Sequence, residues 1–288
     1  MPSLRDIRKR LRAVSDTRQM TRAMKMVSVV KLRRAHDKLV ALRPYATTFD
    51  TVMSTLISRT APGELSHPLL TRRPVRRIEL LVVTSDRGLA GGFSAIISRR
   101  ALSYVADQQE AGVEVFVTTV GRKGHNYLRA RGVTIRRDDR GILGKLSYAS
   151  AESLAQELST RFLDGEVDAV VLLHNQFVST IALPTQAQLL PFEAGASGPA
   201  QARVEWCFEP DPRTVLEQLV PRALAVKTYR ALLESCTAEH AARMTAMASA
   251  TRNADDVIGS LRLSYNRGRQ AQITRELMEI VSGAEALK

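Results

Sequence analysis

The chain has 288 residues, is 44% hydrophobic and carries a net charge of +13. That is enough apolar material for one large or two modest domains, but no run of about 18 apolar residues exists to span a membrane. The charged N-terminus lacks the apolar core of a secretion signal. The two cysteines, Cys207 and Cys236, make neither a disulfide framework nor a CxxC metal pair, so a reducing cytoplasmic setting is expected.

Ser3 to about Leu56 is expected to be one long helix, with Ser3 as cap and Asp6 as a weak capping box. Leu4, Ile7, Leu11 and Val14 begin a heptad seam, and Leu32, Ala35, Leu39 and Leu42 resume it. In between, the same register falls on the polar residues Arg18, Thr21, Lys25 and Ser28. Met20, Ala23, Met24, Met26, Val27, Val29 and Val30 meanwhile place apolar groups on nearly every side. A helix apolar all round is buried all round, so this section is expected to be enclosed by other protein. Pro44 either kinks the helix after Arg43 or is passed over, the pattern continuing from Tyr45 through Ile57. Met1 to Arg43 holds 13 Lys or Arg against three Asp. The partner of this segment is therefore acidic: nucleic acid, an anionic membrane surface or an acidic protein rim.

After a Pro- and Gly-broken stretch from Ala61 to Arg77, strands and helices alternate. Strands are expected at Arg77–Thr84, Glu114–Val120, Val133–Arg136, Asp168–His174 and Phe177–Leu183. Helices are expected from the Gly91-Gly92-Phe93 turn to Gln109, at His125–Arg131 and at Ser147–Leu163. This order predicts a small α/β domain with a largely parallel sheet. Pro191–Pro199 is a linker, and Asp211-Pro212 starts a short helix with Asp as cap and Pro at the first position. Pro221 marks the joint to a long proline-free rod, Arg222 to Ala286. As one helix it would run about 95 Å, too long to bury itself alone. Its seam, Met244, Met247, Thr251, Ala254, Ile258, Leu261 and Tyr265, gives way to another face at Ile273, Leu277, Ile280 and Val281. An antiparallel pairing of the two terminal helices buries both seams. The fold class expected is α+β overall: a long antiparallel coiled coil of N- and C-terminal helices (1–60 and 211–288) with an inserted Rossmann-like α/β domain (75–192).

No catalytic constellation is found. The glycine-rich turn Ser85 to Phe93 sits between strand and helix, where phosphates bind, but it matches neither G-x-x-x-x-G-K-[ST] nor G-x-G-x-x-G. It reads as a tight turn or, with Asp86 and Arg87 at its tip, as an exposed contact loop. Asp138-Asp139, Glu152 and Glu157 read as solvated faces. The methionines of the first helix are either core or an adaptable binding surface.

Several segments together resemble the gamma subunit of F-type ATP synthases, the central rotor stalk. They include Ile7-Arg8-Lys9-Arg10-Leu11, Thr21 to Val27, Arg43-Pro44-Tyr45, Thr84 to Gly92 and Glu209 to Pro212. The tail adds Ala241 to Met244, Tyr265-Asn266, Arg269-Gln270 and Glu279 to Ala284. The resemblance runs in order from near residue 4 to the end. It implies a torque-carrying, non-catalytic subunit without a cofactor, peripheral on the cytoplasmic face of a bacterial plasma membrane and held there only through its complex. The implied partners are the alpha and beta subunits of the catalytic hexamer, epsilon and the c-ring. Carried over residue by residue, the hexamer contacts are Arg243, Gln270 and Thr274, with Met24 and Lys25 opposite them, and the loop of Asp86, Arg87 and Gly88. Trp206, Phe208 and Glu209 fall where the family meets the ring and epsilon. Ala90 stands where cysteine is common in that loop, Ser94 where asparagine follows, and Ala248 and Arg252 where lysine and aspartate are frequent. The rival reading is a basic coiled-coil nucleic-acid-binding protein. Charge alone supports it, since aromatics are 5% and do not interleave with the basic stretch.

Overall fold

Ser3 opens the first helix as its sequence predicts: its Oγ accepts the Asp6 N–H at 3.2 Å and donates to the Asp6 carboxylate at 2.7 Å. The computed structural model describes residues 3–59, 67–178, 181–192, 209 and 211–285. The chain divides into two compact units, one built of residues 1–29 and 243–288, the other of residues 30–242. Helix α1 (Leu4–Arg59) and helix α5 (Pro212–Glu285) each contribute to both.

In the first unit α1 and α5 run antiparallel. Arg8 donates to the Tyr265 hydroxyl at 2.7 Å, Arg18 pairs with Asp255 at 3.1 Å, and Thr251 meets Thr21 at 2.9 Å. These pairs keep one register along the coil. Ile7, Ala254, Ile258 and Met247 are buried on the seam. The seam does not lapse at its polar stretch: Thr21 and Ser28 are buried at seam positions, with hydroxyls bonded to the carbonyls of Arg18 and Met24. Lys25, on the same register, is exposed. Gly268 lies against Leu4, where an added Cβ would come within 3.0 Å of the leucine side chain. Beyond this level α5 continues alone for about 25 Å.

The second unit holds a five-stranded sheet in the order β3-β2-β1-β4-β5. The strands are β1 (Arg77–Val83), β2 (Glu114–Val120), β3 (Ile135–Asp139), β4 (Ala169–Val178) and β5 (Ile181–Leu190). β1, β2, β3 and β4 are parallel; β5 pairs antiparallel with β4. Strand alternation in β1 sends Ile78, Leu80 and Val82 into a layer with α2 (Phe93–Glu110) and α3 (Arg122–Arg129). Leu81 and Val83 face α4 (Tyr148–Leu163), where Leu154, Leu158 and Phe162 pack together with Met53 of α1 and Leu216, Val220 and Leu224 of α5. Ser147 caps α4 in a reciprocal box with Ser150.

Several boundaries differ from the sequence expectation. β3 lies two residues later and ends in Asp138 and Asp139, because ion pairs rather than apolar residues define this edge strand. Asp138 contacts His125 and Arg140, Asp139 binds Arg137, and Glu157 binds Arg161 and Arg137. These carboxylates are therefore not solvated faces, although Glu152 is exposed. Phe177 belongs to β4, and β5 extends to Leu190 with Pro184 on the edge strand of the sheet, where proline is tolerated. Neither Pro44 nor Pro221 ends a helix. There is no separate short helix at Asp211: this residue caps α5 itself, accepting from the N–H groups of Arg213 and Thr214. Burial of Leu216, Val220 and Leu224 offsets the hydrogen bond lost at Pro221.

Candidate functional site: partner-binding surfaces

The first surface lies on the outer side of α1 in the coiled-coil unit. Met20, Met26 and Val27 are each more than half exposed, and Met24 and Val29 are 41% and 43% exposed. Thr21 and Ser28 sit inside on the same stretch. Polarity is thus inverted: hydroxyls face the seam and large apolar groups face outward, flanked by the exposed Arg22 and Lys25. Such a face favours a partner that removes it from water. A second apolar set, Ile273, Leu277, Met278, Ile280 and Val281, is exposed where α5 runs alone.

The expected contacts separate along this unit. The Thr21–Thr251 pair places Met24 near Ala248, so Gln270 lies about 33 Å further along α5. Met24 and Lys25 are therefore not opposite Gln270 and Thr274. Gln270 and Thr274 are exposed on the unpaired end of α5, and Arg243 is half-buried.

The second surface is the loop after β1. Its conformation is set from within. The Asp86 carboxylate accepts the Arg122 N–H on one oxygen and the Gly141 N–H on the other, both at 3.1 Å, tying three loops at the C-terminal end of the parallel strands. Ser85 and Ser94 share a 2.6 Å hydroxyl bond, and Ser85 Oγ donates to the Arg87 carbonyl. Ala90 and Phe93 are buried with Ala238 of α5, and Ala242 packs against them. Between these anchors Arg87, Gly88 and Leu89 are exposed; Leu89 adopts φ 64°, a left-handed conformation unusual for a leucine. Asp86 thus shapes the loop while Arg87 and Gly88 present it. Ser94, at the asparagine position of the resemblance, supplies the loop's closing hydroxyl.

Trp206 and Phe208 lie outside the described residues; Glu209 is exposed. Among the described residues no group of side chains could hold a metal ion, and no helix is long and apolar enough to cross a membrane.

The ATP synthase family model matches residues 3–287. The chain is 50% identical over its whole length to the ATP synthase gamma chain of an Anaeromyxobacter species, and 45% identical to that of Geobacter metallireducens, each relative also being covered in full. The chain belongs to the ATP synthase gamma chain family. Among solved structures, a chain of the Euglena gracilis mitochondrial ATP synthase shares the fold with a TM-score of 0.68 at 18% identity, over 99% of this chain and 94% of that one. A chain from the central stalk and c-ring assembly of the Tetrahymena thermophila enzyme gives 0.61 at 23% identity, over 80% and 99%. The gamma chain family accounts for the long terminal helices and central α/β sheet, and nothing favours the nucleic-acid alternative.

Sequence reading missed a buried ion network beneath the second surface's sheet. Glu79, fully buried in the middle of β1, binds Arg161, Arg136 and the Thr118 hydroxyl. The signal was present: one acid in an otherwise apolar strand requires buried partners. A second missed pair is His174 with Glu234 at 3.5 Å. Burial raises the Glu234 carboxyl, but the His174 hydrogen bond and the Arg230 guanidinium together bring it below the usual range.

Proposed function

We propose that this chain is the central-stalk rotor of an F-type ATP synthase and transmits torque between a proton-driven c-ring and the catalytic sites of beta subunits. It is not itself catalytic. The observation that carries this reading is the inverted polarity of α1 between Met20 and Val29. A helix that keeps Thr21 and Ser28 inside and turns Met20, Met24, Met26 and Val27 outward is suited to an enclosing, largely apolar sleeve. A sleeve made of apolar contacts holds no single angle strongly, whereas a fully desolvated ion pair costs several kcal/mol to break and would act as a rotational trap.

On this reading Met24, Lys25, Arg243, Gln270 and Thr274 meet the hexamer at different levels. Arg87 and Gly88 meet the acidic lower loops of beta, on a loop shaped by Asp86. The exposed basic face of α1, from Arg5 to Arg12, suits the same acidic rim. Trp206, Phe208 and Glu209 belong to the contact with epsilon and the c-ring. The complex sits at the cytoplasmic face of the bacterial plasma membrane, which this chain reaches only through its partners.

Reconstitution tests the proposal. The purified chain is mixed with alpha and beta subunits, and ATPase activity is measured for the mixture and for the chain alone. One copy per hexamer, with cooperative ATP hydrolysis only in the mixture, is the expected result. Nucleotide turnover by the chain alone, or failure to join the hexamer, overturns it.

A further inference from the structure

We propose that the loop after β1 forms a binding pocket for a small oxyanion of the phosphate class, separate from its role as a contact surface. A cavity of about 260 Å3 opens beside Gly88 and Gly91, walled by Ser94 and Ser98 of α2 and by Lys123 and Tyr127 of α3. Its volume suits a phosphate and bound water rather than a whole nucleotide.

Four observations specify the charge of the occupant. The 18-residue helix α2 begins at this wall with Gly92 as N-cap and no side chain closing its first turn; its Phe93 N–H is bonded to the Ala90 carbonyl, and Ser94 and Ala95 of the same turn line the cavity near the positive end of the helix. The first-turn N–H groups of α3 are committed to Asp86, Ser85 and Thr84, so α2 supplies the available helix terminus. Lys123 and Arg87 bring two cations to the mouth, while the loop's acid, Asp86, is held by the backbone of Arg122 and Gly141. Most specifically, Ser98 lines the cavity, is 1% exposed, and its Oγ has no hydrogen-bond partner among the described residues. A buried hydroxyl without a partner is costly. A mid-helix serine ordinarily returns its proton to the carbonyl one turn back, and Ser98 does not. An oxyanion in the cavity would accept that proton while Lys123 balances its charge.

The test titrates sodium phosphate into the full chain at constant ionic strength, with binding read by calorimetry and by 31P NMR. Saturable one-to-one binding is expected. Ser98→Ala should weaken it about tenfold, the loss of one hydrogen bond to a charged group, while leaving the melting temperature without phosphate unchanged or higher. Lys123→Gln should weaken it similarly. Lys38→Gln, which removes an exposed charge on α1, should not. Sulfate, an oxyanion of the same size, should compete with phosphate and adenosine should not. A lower melting temperature for Ser98→Ala in the absence of phosphate would mean that the hydroxyl is bonded within the fold, and would overturn the proposal. So would equal losses from Lys38→Gln and Lys123→Gln, which mark general attraction to a basic chain, or adenosine binding that phosphate does not displace.

Discussion

Thr21 and Thr251 touch across the coiled coil, their hydroxyl oxygens 2.9 Å apart at the centre of the antiparallel pair. Each also reaches a carbonyl of its own helix: Thr21 that of Arg18, and Thr251 that of Met247. Thr251 has one proton for two acceptors, so the interhelical bond is one of two interchangeable arrangements. The contact fixes register at little net gain. Thr21→Val with Thr251→Val should leave coil stability equal or higher, with a coupling in the double-mutant cycle of about 0.5–1 kcal/mol. Urea unfolding of the four proteins measures it, and additive effects would remove the bond from the account.

Elsewhere on the seam the energy is apolar. Ile258 is 4% exposed, and Leu263, a few residues on, is 62% exposed. Ile258→Ala should cost about 2–4 kcal/mol, and Leu263→Ala less than about 0.5 kcal/mol, in the same unfolding measurement. Similar costs at both positions would mean that the helices pair through another face.

The outward methionines make the opposite separation. Met26→Glu places a charge on a side chain that is 65% exposed, so the isolated chain should unfold at an unchanged denaturant midpoint. Assembly with alpha and beta subunits should fall sharply, because an unpaired carboxylate in an apolar sleeve costs several kcal/mol. Gel filtration of the mixture measures assembly. Unimpaired assembly would show that this face stays in water.

Two glycines near the cavity differ from a third in what they can accept. Gly121 has φ 98°, and a Cβ there would lie 2.0 Å from the Thr84 carbonyl oxygen. At Gly124 it would meet the Thr84 side chain at 2.6 Å. At Gly144 nothing lies within 4 Å. Gly121→Ala should therefore prevent native packing of α3 or cost more than about 3 kcal/mol, whereas Gly144→Ala should stay within about 1 kcal/mol. Thermal melts followed by near-ultraviolet circular dichroism distinguish them.

Protonation of His67 should destabilise the fold. Its Nδ1 accepts the Leu69 N–H at 3.1 Å, and burial pushes the imidazole below its ordinary range against the pull of Glu217. A depressed histidine binds more protons unfolded than folded. Its contribution is complete above the unfolded value of about 6.5 and declines as pH falls toward the folded value. Glu234 is also depressed, so its contribution is lost in a lower window, below the unfolded glutamate value of about 4.3. His67→Asn keeps an acceptor at the cap but cannot titrate, and should flatten the decline in melting temperature between pH 7.5 and 5.5. An unchanged slope would assign that decline to other groups.

Much of this architecture was legible in the residues. The seams from Leu4 to Val14 and from Met244 to Tyr265 follow from spacing alone, as does the central strand Arg77–Val83. What sequence could not settle was which polar residues a seam tolerates. Thr21 and Ser28 read as a gap because their own-helix carbonyl bonds, which make burial affordable, are properties of the folded helix. Pro221 read as a joint because its local cost is visible in sequence and the burial of Leu216, Val220 and Leu224 around it is not. Asp138 and Asp139 read as solvent-facing because their partners, His125, Arg137 and Arg140, become neighbours only when β3 joins the sheet edge. At the loop after β1, Arg87 and Gly88 were legible as exposed. The role of Asp86 as a clamp was not, since Gly141 is 55 residues away in sequence.

The most direct test of the rotor reading is motion. The reconstituted complex of this chain with alpha and beta subunits would be fixed through the hexamer, a bead attached to this chain, and the bead followed in the presence of ATP. Sustained rotation in one direction that depends on ATP and stops without it is the expected result. A bead that stays at a fixed angle while the same complexes hydrolyse ATP would contradict it.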